Sequence, residues 1–230
     1  MKNLTKTLMF IMIGLLFFAC KPKIEPPEPI EKEVFTLQTL RQNDFYIYLH
    51  ADELELDLDN IIEINNFNTQ FFGVYDYEIN FLNNGTNTLT ANGKNIKHIE
   101  VGYYAYAGDI YDSVTALNVT KLKNLYILDC NNNLLTELDL SQNTNLRYLT
   151  CNDNQLTSVK LNSPVIYWVY LHNNQLSAAA LNEIFYSLPD VNDFVKQRVI
   201  SISNNPGTET CDKSIAENKG WIVDVYEYIW

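Results

Sequence analysis

Residues 125–135 read LYILDCNNNLL, and residues 146–156 read LRYLTCNDNQL. At this offset of 21 residues the apolar positions coincide: Leu125 with Leu146, Leu128 with Leu149, Cys130 with Cys151, Leu135 with Leu156. Asn133 coincides with Asn154, and Thr136 with Thr157. Upstream, Leu117 keeps register with Leu138, and Val119 with Leu140. A third copy, IYWVYLHNNQL at 166–176, follows with one residue fewer in its connection. A fixed short period means that one supersecondary unit is reused and stacked.

The pattern has a physical reading. A segment such as 127–131 forms a short strand whose residues alternate faces, so Leu128 and Cys130 point inward while Ile127, Asp129 and Asn131 point out. One unit cannot bury its apolar face alone, and stacked neighbours share a continuous core. The Asn after each strand carries donors and an acceptor for turn amides that would otherwise be buried unpaired. Asn133, Asn154 and Asn174 are thus expected to form a structural ladder, with Asn205 continuing it. The form LxxLxLxxNxL resembles the leucine-rich-repeat family. The resemblance implies an α/β, β-dominated fold: a short solenoid with a parallel sheet over 93–177, an N-terminal β region or cap over 35–92, and a C-terminal helix/strand cap over 178–230.

The C-terminal part carries its own signals. Ser177 is a good helix N-cap, Leu181, Ile184, Phe185 and Leu188 form an apolar stripe, and Pro189 stops the helix. Residues 199–205, VISISNN, recreate the strand and its Asn, with Ile200 and Ile202 inward. Pro206-Gly207 turns the chain, 210–219 suits a short helix, and 220–225 suits a last strand with Trp221, Val223 and Val225 inward. This segment is similar to the closing segment of secreted bacterial leucine-rich-repeat proteins. The similarity covers roughly residues 96–225. It implies surface recognition, because that family shares no catalytic residues.

At the other end, Lys2 and Lys6 precede an apolar run of 12 residues, Leu8 to Ala19. About 20 residues are needed to span a bilayer as a helix, so 1–19 reads as a signal peptide. The sequence LFFAC at 16–20 resembles a bacterial lipoprotein signal, which implies lipid on Cys20, although its Phe pair departs from the usual box. Residues 20–34 read as the lipidated Cys and an extended Pro/charged tether. The expected location is the bacterial cell envelope, on the outer membrane or cell surface. Removing Lys2 and Lys6 takes the formal charge from −12 to −14, which disfavours nucleic acid as a partner.

Residues 35–92 show alternation without helical period. Strands are expected at 45–49, 54–58 and 75–81, with turns at Asn83-Asn-Gly85 and Asn92-Gly93. Glu53, Glu55, Asp57 and Asp59 alternate with leucines and read as a solvated acidic face, since the spacing of an EF-hand loop is missing. His50 has no obvious partner. Cys130, Cys151 and Cys211 form an odd set. The first two sit on neighbouring strands within reach of a bridge, yet small core thiols are the simpler reading.

Two surfaces are candidates for binding. Outward positions fall into columns: His98, Ile127, Tyr148, Trp168; then Glu100, Asp129, Thr150, Tyr170; then Gly102, Asn131, Asn152, His172. They gather Tyr148, Trp168 and Tyr170 beside His172 and Asn152, a mixture suited to a protein or glycan ligand, or to cross-strand stacking that only stabilises the sheet. The second surface is an insertion of eight residues between Val101 and Val114 containing Tyr103, Tyr104 and Tyr106. Solenoid insertions often sit on the binding face. Motifs for acyl transfer, zinc hydrolysis or phosphate binding are missing, so catalytic residues, metal and cofactors are expected to be none. The expected function is a non-enzymatic envelope lipoprotein that binds a protein or glycan; the alternative is a structural or assembly component without a ligand site.

Overall fold

The computed structural model describes residues 33–39, 45–56, 61–66, 74–81, 87–101, 114–191 and 197–224. The expected leader, Cys20 and the tether as far as residue 32, the tyrosines Tyr103, Tyr104 and Tyr106, the Asn83–Gly85 turn and Val225 lie outside them, whereas Glu33 and Val34, expected in the tether, are drawn into a strand by pairing with Gly93 and Asn92. The described chain is β-dominated, with mixed sheets and few helices: fifteen strands and two helices.

Six strands form a parallel array: β7 (His98–Val101), β9 (Ile127–Asp129), β11 (Tyr148–Thr150), β13 (Trp168–Tyr170), β14 (Val199–Ser201) and β15 (Ile222–Val223). Their register lines up Ile99, Leu128, Leu149, Val169 and Ile200 as direct neighbours. All five are 0 % exposed. Each such side chain contributes roughly 2 kcal/mol of transfer free energy. A residue slip in any strand would turn this whole row to the other face.

The sheet does not end at β7. Strand β2 (Phe45–His50) pairs with β7 antiparallel, and β5 (Val74–Phe81) and β4 (Ile61–Asn66) follow it, giving nine strands in one sheet. Opposite, β1 (Glu33–Thr39) lies between β6 (Asn87–Lys94) and β8 (Val114–Asn118), with β3 (Glu53–Leu56) outside β6, all antiparallel. Strands β10 (Glu137–Leu140) and β12 (Ser158–Leu161) make a separate parallel pair. Phe35, Leu37, Ile47, Leu49, Leu89 and Ile99 belong to the same buried core as Leu128 and Leu149.

One expectation is overturned here. Asn92-Gly93 is not a turn: it lies within β6, where Gly93 pairs with Glu33 on one side and Leu54 on the other. Pairing on both edges outweighs the local turn preference, and the left-handed residue is Asn95 at φ 56°. In the repeats, Asn132, Asp153, Asn173 and Asn204 occupy one equivalent turn position with φ between 53° and 57°. Asn and Asp tolerate this region better than other side chains.

Helix α1 (Ala178–Ser187) begins where expected. The Ser177 hydroxyl accepts the Ala180 N–H at 3.2 Å, and Leu181, Ile184 and Phe185 are buried. The second helix is shorter than expected. Only Ser214–Glu217 (α2) is helical, because residues 205–211 close hydrogen-bonded turns first. Strand β15 likewise covers two residues, with Trp221 buried and Val223 half-buried.

Candidate functional site

The outward columns are positioned by the strand register. Tyr148 stands between Ile127 and Trp168, and Thr150 between Asp129 and Tyr170. Tyr148 and Trp168 meet edge to face with ring centroids 5.0 Å apart, and Tyr126 joins Tyr148 at 5.5 Å. Tyr167 lies 6.4 Å from Tyr148, and Tyr170 lies 6.4 Å from His172. All six are half-buried. Such contacts are worth about 0.5–1.5 kcal/mol each beyond area.

Asn152 is placed differently from its expected role. It is 3 % exposed, and its amide donates to Asp153 Oδ2 at 2.6 Å. Asn173 donates to the other Asp153 oxygen at 2.6 Å, and Asn204 to Asn173 Oδ1 at 2.7 Å. Asn152 therefore braces the turns instead of facing a ligand. His172 reaches Ser201 Oγ through Nδ1 at 3.3 Å. Burial lowers its pKa, with Asp153 opposing.

The asparagines at the strand ends form a repeated bridge. Asn154 Oδ1 accepts the Leu135 N–H at 3.0 Å while its amide donates to the Cys130 and Cys151 carbonyls at 2.8 and 3.3 Å. Asn133 does the same for Val114 and Val101, Asn174 for Leu156 and Cys151, and Asn205 for Leu176 and Leu171. Each links its own turn to the preceding strand.

Electrostatics separates two groups on the outward face. Burial pushes Asp129 up to about 6, opposed by the Asn131 N–H that it accepts at 3.2 Å. Burial, assisted by His50, pushes His98 down to about 4. The register sets His50 directly opposite His98, whose ring meets Tyr48 at 4.8 Å. Cys130 and Cys151 are buried free thiols. The hydrogen bond between them and their burial hold Cys130 protonated, unsuited to nucleophilic work. Among the described residues, no group of three or more His, Cys, Asp or Glu side chains is placed to hold a metal.

A cleft of about 510 Å³ lies elsewhere, lined by Thr36, Gln38, Thr115, Glu137 and Lys160 among others, and no aromatic ring lines it. The aromatic face is the better candidate.

The position missed in the sequence is the second of the repeat, one residue before each strand. There Arg147 lies over the Tyr126 ring at 4.9 Å and the Tyr167 ring at 5.7 Å. Arg198 lies over Tyr167 at 5.2 Å and Trp221 at 5.9 Å. The signal was present in the repeats as Tyr126, Arg147 and Tyr167 at equivalent positions.

No protein-family model matches this chain, and no curated protein or solved structure matches it.

Proposed function

We propose that this chain is a non-enzymatic recognition module of the bacterial cell envelope, a short leucine-rich-repeat solenoid held at a membrane by lipid on Cys20. Its outward sheet face binds a protein or glycan. The solenoid reading is supported by the repeated Asn bridge and by the in-register parallel strands. The recognition reading rests on one observation above all: Tyr148, Trp168 and Tyr170 share one side of neighbouring strands and each is only half-buried. Among the described residues no helix is long and apolar enough to cross a membrane.

The test uses the full chain extracted in mild detergent and screened against glycan arrays and envelope-protein extracts. A Trp168→Ala, Tyr170→Ala variant is expected to melt within a few degrees of the parent yet lose the ligand signal. Equal binding by parent and variant would leave the aromatics as sheet packing, which favours the assembly role. The anchor has its own check. Cys20→Ala is expected to move the protein from the detergent phase to the aqueous phase, and unchanged partition would remove the lipid.

A further inference from the structure

Two of the chain's three histidines face each other where the antiparallel part of the large sheet meets the parallel array. His50 closes β2 and His98 opens β7, and the register makes them direct cross-strand partners. Direct partners share one face of a sheet, with Cβ atoms about 5 Å apart. That face is the outer one: their chain neighbours Leu49 and Ile99 point the other way and are 0 % exposed, while both histidines are half-buried. The Lys97 N–H bonds to the His50 carbonyl at 2.9 Å and ties the two strand ends together.

Each imidazole has two ring nitrogens, and partly buried rings usually engage them in hydrogen bonds. Among the described residues neither His50 nor His98 forms one through its ring, whereas the third histidine, His172, meets Ser201 Oγ at 3.3 Å. The His98 ring is nonetheless held, edge to face against Tyr48 at 4.8 Å, with Ile127 beside it on β9. Burial, with His50 adding to it, keeps His98 neutral down to about 4. A neutral ring has a lone pair for a metal and no proton to displace at pH 7. Glu100 follows His98 on the same face, Asp129 stands beside Glu100, and the chain's formal charge is −12. This neighbourhood attracts a cation.

We propose that His50 and His98 together bind a divalent transition-metal ion, Cu²⁺ or Zn²⁺, with water completing its coordination. Imidazole nitrogen suits Cu²⁺ and Zn²⁺, whereas Ca²⁺ and Mg²⁺ take oxygen ligands. Of the first-row divalent ions, Cu²⁺ binds such nitrogens most tightly. A structural zinc centre takes four protein ligands and is closed. Two ligands make an open site from which the ion exchanges. An ion bridging the pair clamps β2 to β7, the first strand of the parallel array. No sequence motif announces this site, because its two ligands are far apart in the chain and meet only through antiparallel pairing. It does not depend on what the aromatic face binds.

The experiment is calorimetric titration of the full chain with Cu²⁺, Zn²⁺ and Ca²⁺ at pH 7. The protein carries no polyhistidine tag, is stripped with a chelator, and has Cys211→Ser to remove the half-buried thiol as a competing ligand. Saturable binding of a single Cu²⁺ is expected, with Zn²⁺ weaker and Ca²⁺ silent. Pulsed electron paramagnetic resonance is expected to count two imidazole nitrogens on the copper. His50→Gln and His98→Gln are each expected to leave one nitrogen and to weaken binding by more than about tenfold. Losing a group that merely orients a ligand already costs about 10–100-fold. Cu²⁺ is expected to raise the thermal midpoint of the parent and not of these variants, whose folding is checked by circular dichroism. Should one variant fail to fold, the nitrogen count and midpoint of the other decide. His172→Gln is expected to bind as the parent does. No Cu²⁺ binding, binding unchanged in the His50→Gln, His98→Gln double variant, or Ca²⁺ bound as tightly as Zn²⁺ would overturn the proposal.

Discussion

At the scale of single residues, the asparagines differ sharply in what they hold. Asn154 is 7 % exposed, accepts one buried amide and donates to carbonyls on two strands. A leucine there fits the space but leaves the Leu135 N–H without a partner, at about 1–3 kcal/mol, and takes from the Cys130 carbonyl its 2.8 Å donor, leaving it Asn133 at 3.2 Å. Asn154→Leu is therefore expected to lower unfolding free energy in urea by about 2–4 kcal/mol. Asn145, exposed, gives one bond to the Lys123 carbonyl at 2.8 Å, and water can replace it. Asn145→Ala is expected to cost less than about 1 kcal/mol. Similar losses for the two would show that the bridge is not what distinguishes them. The Asn positions were legible in the sequence because their role recurs at one period. The position of Tyr126, Arg147 and Tyr167 recurs too, but its chemistry alternates from copy to copy, so comparing equivalent positions for identity conceals it. His50 was not legible at all, since its partner His98 lies across an antiparallel pairing that no local pattern announces.

At the scale of elements, the C-terminal helix depends on a contact made from outside it. Gly207 passes so close to the helix start that a Cβ there would lie 2.2 Å from the Ala178 nitrogen and 2.3 Å from the Ser177 carbonyl carbon. Both neighbours are backbone, and the Gly207 N–H is already bonded to the Leu176 carbonyl at 2.9 Å, so nothing can give cheaply. Gly207→Ala is expected to cost about 3 kcal/mol or more, whereas Ser177→Ala, which removes one cap bond, is expected to cost about 1 kcal/mol. The ranking is read from thermal midpoints, and a reversal would mean that the turn shifts freely. Helix α1 was legible because cap, stripe and stop are all local. The N-terminal elements were legible only as strands. That β2 joins the repeat sheet, and that Asn92-Gly93 sits inside β6, are decided by partners distant in sequence. Those pairings satisfy backbone groups on both edges of β6, which outweighs a dipeptide's turn preference. The shortness of α2 has the opposite cause, since local turns at 205–211 take the backbone bonds that a longer helix would need.

At the scale of the whole molecule, two groups on one sheet face balance the response to acid. His98 titrates near 4 in the fold against 6.5 when unfolded, so the fold favours its neutral form. Its contribution is fully present above pH 6.5 and is lost as pH falls toward 4. Asp129 titrates near 6 against 3.8, so the fold favours its neutral form as well, but for a carboxyl that is the protonated one. Its burden is greatest above pH 6 and is relieved as pH falls toward 3.8. Acidification through this window therefore weakens the fold at His98 and strengthens it at Asp129. Each effect is of the order of 2 kcal/mol after allowing for partial exposure. Asp129→Asn keeps the oxygen that accepts the Asn131 N–H and removes the charge. It is expected to be more stable than the parent at pH 7 by about that amount, with the advantage gone at pH 4. His98→Gln is expected to do the converse, gaining on the parent as pH drops from 6.5 to 4. Urea midpoints of both variants and the parent at pH 7, 5.5 and 4 check the pair. Two curves that stay parallel to the parent would mean that neither group is shifted, and that the outward face is wetter than its burial implies. Divergence in opposite directions would establish a sheet face held uncharged at both positions.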